Sequence, residues 1–300
     1  MSQADEGAER GVLPDTDTRE ARAKVNLFLR VLGRRRDGYH ELETLIARIS
    51  LADRLEIHAF ADSTQFRTLS LSLRVTGETS LAAAVPTDQS NLVLRAATVL
   101  AERAGVRGFA DITLEKRIPS AAGLGGGSAD AAGTLMSLDD LWGLGLSAAD
   151  LREVAAAVGS DVPALMLPKG ALVHGRGELT EPVAVPAFRW CLLTFPFGVR
   201  TADAFAWWDE DAGRSGPDPE AALRAAMTGD PEVLGPLLFN DLEAPVLRRH
   251  PEIRTAKVRL LEAGAVGAVM CGSGPTVAGL LPVGVDSVLP DAIPVRSGEE

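Results

Sequence analysis

The residues with the clearest chemical potential lie in Pro119-Ser120-Ala121-Ala122-Gly123-Leu124-Gly125-Gly126-Gly127-Ser128-Ala129-Asp130, where four glycines fall within five positions. Glycine permits positive φ and lets a ligand approach the backbone without a Cβ in the way. If a helix starts at the end of such a loop, its free N–H groups and dipole favour an anion. That is the physical description of a phosphate site. A Walker-type loop is excluded, because Ser128 stands where its second glycine belongs and no lysine follows. The dinucleotide fingerprint fails at the same serine. A flexible linker or a tight turn against a neighbouring helix is the plainer alternative.

Three other groups could do chemistry. In Val25, Leu27, Leu29 and Val31 the apolar positions alternate, so Lys24 and Asn26 share the opposite face of a strand. That pair is either a solvated face or part of a site. Tyr39, the sole tyrosine, follows a basic Asp-Gly turn and precedes His40. Such an aromatic either stacks on a base or packs on the sheet. Asp161 stands between two helical segments, where it either caps the second or presents a general base into a cleft.

The elements around these residues follow from period. Ile112 and Leu114 alternate with Thr113 and Glu115, so a strand leads into the glycine loop, and Ala131, Leu135, Leu138 and Trp142 recur at helical spacing after it. Further helices are expected over 91–104 and from Ser147 to Val158. Two strands are expected between Glu41 and Ile57, broken around Leu51-Ala52-Asp53. Residues 170–178 read as a turn, 190–195, 266–270 and 276–281 as strands, and 218–228, 231–238 and 251–263 as helices. Residues 1–20 read as a disordered tail, and 282–300 show no helical period.

Composition narrows the class. The 300 residues, 46% of them hydrophobic, suffice for one large domain or two lobes. A net charge of −11 argues against a nucleic-acid partner, which needs a basic face. Two cysteines and four scattered histidines form no metal or disulfide framework, so a metal is expected only with a nucleotide. Neither a signal peptide nor an apolar run of membrane-spanning length is visible, and a cytoplasmic location without a membrane partner is the expectation.

These pieces together resemble the galactokinase–homoserine kinase–mevalonate kinase–phosphomevalonate kinase (GHMP) superfamily. The resemblance rests on the 119–128 loop, Ala23-Lys24-Val25-Asn26-Leu27, Arg35-Arg36-Asp37-Gly38-Tyr39-His40, Ser160-Asp161-Val162-Pro163, Gly175-Arg176-Gly177-Glu178, Asn240-Asp241-Leu242-Glu243 and Gly272-Ser273-Gly274-Pro275-Thr276. The Asp-Gly-Tyr-His turn points, within it, to the branch whose acceptor is a cytidine-diphosphate-linked methylerythritol of non-mevalonate isoprenoid synthesis. The resemblance implies an α+β fold of two lobes: a ribosomal-protein-S5-like ATP lobe over 21–180 and a ferredoxin-like α/β substrate lobe over 181–300. It implies Asp161 as catalytic base with Lys24 as its charged partner, and Asn26 holding the reacting hydroxyl. Residues Pro119, Ser120, Ala121, Ala122, Gly123, Leu124, Gly125, Gly126, Gly127, Ser128 and Ala129 would wrap the ATP phosphates, with Ser128 near Mg²⁺ and Lys116 approaching phosphate or base. Tyr39 and Phe205 would sandwich cytosine, while His40 and Thr201 meet its polar edges. A monomer or weak homodimer is expected. The rival functions are a silent nucleotide-binding protein and a kinase of another alcohol such as homoserine or mevalonate. Three departures stand out: Arg22 in place of proline, Cys271 in place of serine, and a C-terminus without the usual closing helix and edge strand.

Overall fold

The computed structural model describes residues 15–211 and 216–298. In chain order the strands are β1 (Asp15–Arg34), β2 (His40–Ala61), β3 (Leu69–Gly77), β4 (Gly108–Lys116), β5 (Gly170–Gly175), β6 (Leu179–Pro182), β7 (Phe188–Leu193), β8 (Phe239–Asn240), β9 (Gly267–Met270), β10 (Val277–Leu280) and β11 (Ile293–Ser297). The α-helices are α1 (Thr79–Ala82), α2 (Leu92–Ala104), α3 (Gly126–Leu141), α4 (Ala148–Val158), α5 (Val162–Leu165), α6 (Thr201–Glu210), α7 (Pro219–Met227), α8 (Pro231–Leu234), α9 (Glu243–Arg249) and α10 (Pro251–Glu262). This is the mixed α+β architecture expected.

β2 is the hub of the first half: it pairs antiparallel with β1, β4 and β5, while β3 runs parallel to β4. Helices α2, α3 and α4 cover one face. Leu55, Ile57, Ile112 and Leu114 from the sheet meet Val93, Leu100, Leu135 and Leu138 from the helices in one core. Local chemistry sets the helix ends. Asn91 Oδ1 accepts from Val93 N at 2.9 Å to cap α2, and Gly105, at φ +66°, closes it in the left-handed region. The second half is an antiparallel set in which β10 lies between β7 and β9. Helices α6, α9 and α10 pack over it through Ala204, Val246, Ile253 and Leu260.

Four expectations need correction. The predicted tail falls partly in structure: Asp15–Glu20 extend β1 and pair with Arg54–Ala59 of β2, while 1–14 lie outside the described residues. Local polarity hid this strand, whose partner is more than thirty residues away. No turn interrupts 41–57; β2 runs unbroken through Asp53, whose buried carboxylate has partners of its own. Residues 170–175 form a strand rather than a turn, with Gly170 and Gly175 at its ends. The C-terminal segment does supply a strand, though not at an edge: β11 lies between β7, along which it pairs, and β2, whose Ile49 it meets through Ser297. Ser297 Oγ also accepts from Trp190 Nε1 at 3.1 Å. Among the described residues no helix follows β10, in keeping with the missing helical period.

Candidate active site

The glycine loop is the strand-to-helix connection anticipated, running from the end of β4 into α3. Gly126, Gly127 and Ser128 are the first three residues of α3, Gly125 caps it at φ +72°, and no side chain occupies the cap. The N–H groups of the first turn are therefore left for a ligand, with the positive end of the helix dipole behind them. Backbone contacts from both halves hold the loop in place. Ala122 O accepts from Thr276 N at 3.3 Å and Leu124 O from Lys24 N at 3.0 Å. Gly123, at φ +78°, sits so close to the Cys271 carbonyl that a Cβ would overlap it.

Lys24 and Asn26 project side by side from β1, as the alternation requires, into a buried and not a solvated place. Lys24 Nζ donates to Asn26 Oδ1 at 2.6 Å and to Gly123 O at 2.7 Å. Asn26 Nδ2 donates to Thr44 Oγ1 at 2.9 Å, and its Oδ1 also accepts from Gly272 N at 3.0 Å. Asn240 fixes that turn from below, donating to Gly272 O at 2.7 Å and Met270 O at 2.8 Å. Burial pushes the Lys24 ammonium below its ordinary pKa; the charge of Asp161 acts in the opposite direction. Cys271 itself is pushed up to about 12 by burial, so its thiol stays protonated and inert.

Asp161 stands exposed at the start of α5, and its carboxylate does not cap that helix. It shares with Lys24, Asn26, Thr44 and Ser128 the lining of a cavity of about 530 Å³, roofed by the glycine loop. Thr201 and Phe205, at the start of α6, line the same cavity. Thr201 Oγ1 lies 3.3 Å from Ser273 Oγ. Thr44 carried no signal in the sequence, and Asn240 and Ser273, although part of the motifs behind the resemblance, carried no assigned role, because their partners lie at long sequence separations.

Two groups differ in detail from expectation. Lys116 does line the cavity beside the glycine loop, but its charge is already engaged. Its Nζ is held by Asp53 Oδ2 and, at 2.8 Å, by Asp130 Oδ2, all three side chains being buried. A buried ammonium needs matched carboxylates, and here they hold it beneath the loop. Burial works against the Lys116 charge, but Asp130 and Asp53 outweigh it and raise its pKa. Asp130 is pushed up to about 8, mainly by burial; Lys116 opposes the shift and the like charge of Asp53 adds to it. The aromatic slot is likewise not assembled. Tyr39 is 55% exposed, its ring under the Arg176 guanidinium at 4.9 Å, outside the cavity lining. Phe205 instead stacks on His40, ring centroids 4.6 Å apart, and His40 Nε2 is 2.8 Å from Asp209 Oδ1.

Among the described residues no cluster of three His, Cys, Asp or Glu could hold a metal ion, and no helix is long and apolar enough to cross a membrane.

Comparison with known proteins agrees with this geometry. Residues 91–169 match the GHMP kinases N terminal domain and 220–288 the GHMP kinases C terminal domain. The chain is 44% identical over 261 residues to the 4-diphosphocytidyl-2-C-methyl-D-erythritol kinase of Pelotomaculum thermopropionicum, covering 87% of each chain. It is 44% identical to that of Moorella thermoacetica, over 89% of this chain and 90% of the relative. A crystal structure of 4-(cytidine 5'-diphospho)-2C-methyl-D-erythritol kinase superposes with a TM-score of 0.70 at 38% identity, covering 88% of this chain and 90% of the other. The crystal structure of L. major mevalonate kinase shares only the fold, at 16% identity and a TM-score of 0.67, covering 95% of this chain and 96% of the other. Identity of this extent over nearly the whole chain settles descent: the chain belongs to the 4-diphosphocytidyl-2-C-methyl-D-erythritol kinases, a branch of the GHMP kinases.

Proposed function

We propose that the protein transfers the γ-phosphoryl group of ATP to the 2-hydroxyl of 4-diphosphocytidyl-2-C-methyl-D-erythritol, a step of non-mevalonate isoprenoid synthesis. The observation that carries the reading is the convergence of the uncapped α3 N-terminus, Lys24 with Asn26, and Asp161 on one cavity. It is supported by the relatives of the same name.

A tertiary alcohol is a weak nucleophile until its proton is removed as the new phosphorus–oxygen bond forms. Asp161, exposed and free of capping duty, accepts that proton. Lys24 places a desolvated positive charge where negative charge develops on the alcohol oxygen, and Asn26 fixes the position of that ammonium. The N–H groups of Gly126, Gly127 and Ser128 hold the transferring phosphate, so that most of the acceleration is positioning and charge stabilisation. The donor set fits a Mg²⁺ that arrives with the nucleotide: Ser128 offers a hydroxyl beside the phosphate site, and among the described residues no all-protein cage competes for it. Ser128 and the phosphates would hold that ion, which would supply positive charge against the phosphates. Phe205 and Thr201 meet the cytidine end, and Tyr39 joins Phe205 around the base only if the hairpin tip between β1 and β2 moves off Arg176.

ADP release tests the reading. Turnover with the cytidyl acceptor and none with homoserine or mevalonate is expected. ATP binding without ADP release from any of the three would overturn it.

A further inference from the structure

Asp53 has no role in the reading above, yet it is among the most buried charged residues of the chain, its side chain wholly inaccessible. A carboxylate in that position must be matched by donors, or folding loses several kcal/mol. Its donors are not scattered. Oδ1 accepts from Arg117 N at 2.6 Å and from Ile118 N at 2.9 Å. Oδ2 accepts from Lys116 Nζ, which donates in turn to Asp130 Oδ2.

These partners bracket the phosphate loop. The ladder between β2 and β4 ends at Arg54 and Glu115, so the Asp53 side chain takes over the pairing where the backbone stops. It gathers three consecutive residues immediately before Pro119. Through Lys116 it also reaches Asp130, two positions beyond Ser128 on α3. Ile118 is packed so closely on the start of α3 that a Cβ on Gly126 would come within 3.0 Å of it. A shift at Ile118 is therefore passed to the amides of the first helical turn.

We propose that Asp53 is a positioning residue for the phosphate donor. With Lys116 as its link, one buried carboxylate pins both ends of the 119–128 loop and so sets the geometry in which the α3 amides meet the ATP phosphates. The proposal rests on the reading of that loop as an ATP site and is independent of which alcohol accepts the phosphate.

The test is Asp53→Asn, which keeps the Oδ1 acceptor but turns an amide N–H₂ against Lys116. ATP binding is measured by calorimetry without acceptor, followed by KM for each substrate. The expected result is a dissociation constant and KM for ATP about tenfold higher, equivalent to about 1.4 kcal/mol, with the acceptor KM within about twofold. Wild-type ATP binding in the folded variant would overturn the proposal, as would an equal rise in both KM values. Should Asp53→Asn not fold, the neutral triad Asp53→Asn/Lys116→Met/Asp130→Asn, which buries no unpaired charge, takes its place. Weakened ATP binding by that variant supports the proposal, and unchanged binding refutes it. Wild-type protein that binds ATP yet ignores the cytidyl acceptor would defeat the proposed function and leave this inference standing.

Discussion

Gly123→Ala is the sharpest test of how the two halves build the site. Gly123 has φ +78°, where an alanine costs about 1–2 kcal/mol. The added Cβ would overlap the Cys271 carbonyl oxygen and lie within 3.0 Å of Gly274 N. Both obstacles are backbone, so neither can swing aside, and overpacking of this kind adds about 1–3 kcal/mol. The sum, about 2–5 kcal/mol, is divided between lost stability and a loop that lifts off the 271–275 turn. Because Gly123 O accepts from Lys24 Nζ, lifting the loop also releases the ammonium from one of its two bonds. The comparison variant is Gly143→Ala: φ there is +63°, but nothing lies within 4 Å of the new Cβ, so it bears only the conformational cost. Urea midpoints and steady-state kinetics on both variants separate the contributions. Gly143→Ala should lose about 1–2 kcal/mol with unchanged kcat/KM. Gly123→Ala should lose more and fall at least about tenfold in kcat/KM, the equivalent of 1.4 kcal/mol withheld from the transition state. Equal stability losses with unchanged kinetics in both would refute the claim that this backbone contact shapes the site.

Three further outcomes are expected. Asp161→Asn should lower kcat by about 10²–10⁴ while the ATP dissociation constant stays within about twofold, since it removes only the proton acceptor; near-full turnover would remove Asp161 from that role. Asn240→Ala deletes two donors to buried carbonyls and should lower stability by about 1–3 kcal/mol, read as a shifted urea midpoint. Asp130 is held protonated up to about pH 8 in the folded chain but ionises near 3.8 when unfolded, so the folded state binds more protons between those values. Its stabilising contribution is therefore full below about pH 4 and is lost as pH rises through about 8. The slope has a ceiling of about 1.4 kcal/mol per pH unit, and Asp130→Asn should flatten the urea-midpoint profile between about pH 4 and 8.

The parts of this fold legible from sequence were those specified locally. Alternation in Val25 to Val31 and in Ile112 to Leu114, the Asn91 and Ser147 caps, and the glycines opening α3 each carry their signal within a few residues. The parts misread depend on distant partners. Asp15–Glu20 read as tail because strand character there comes from pairing with β2, and β11 escaped notice because its five residues gain their place from β7. Within the site, type and spacing left Lys24, Asn26 and Asp161 with plainer alternatives, the family resemblance singled them out together with Ser128, and one cavity does gather all four. Lys116 was expected at the phosphate or base and does line the cavity, but its two carboxyl partners were not legible beside it. Asp53 stands 63 residues away, and its neighbours Leu51 and Ala52 suggested only a turn.

The opposite placement of two lysines near one loop follows from a single electrostatic rule. Lys116 donates to two buried carboxyl groups, Asp53 and Asp130, so its charge is already matched and its pKa is raised. Lys24 meets only neutral acceptors, the Asn26 amide oxygen and the Gly123 carbonyl, and its pKa is lowered by burial. A buried ammonium hydrogen-bonded only to dipoles retains its charge for whatever anionic group enters beside it, and the nearest such group on the chain, Asp161, already acts on it. The neutral partners are themselves fixed from the other half of the molecule, since Asn26 Oδ1 also accepts from Gly272 N and Gly123 lies against Cys271. Replacing Asn26 by aspartate should therefore do more harm than replacing it by alanine. A carboxylate at that position would neutralise Lys24 in the way Asp53 neutralises Lys116, and would cancel the buried positive charge beside Asp161 while leaving the shape of the site almost unchanged.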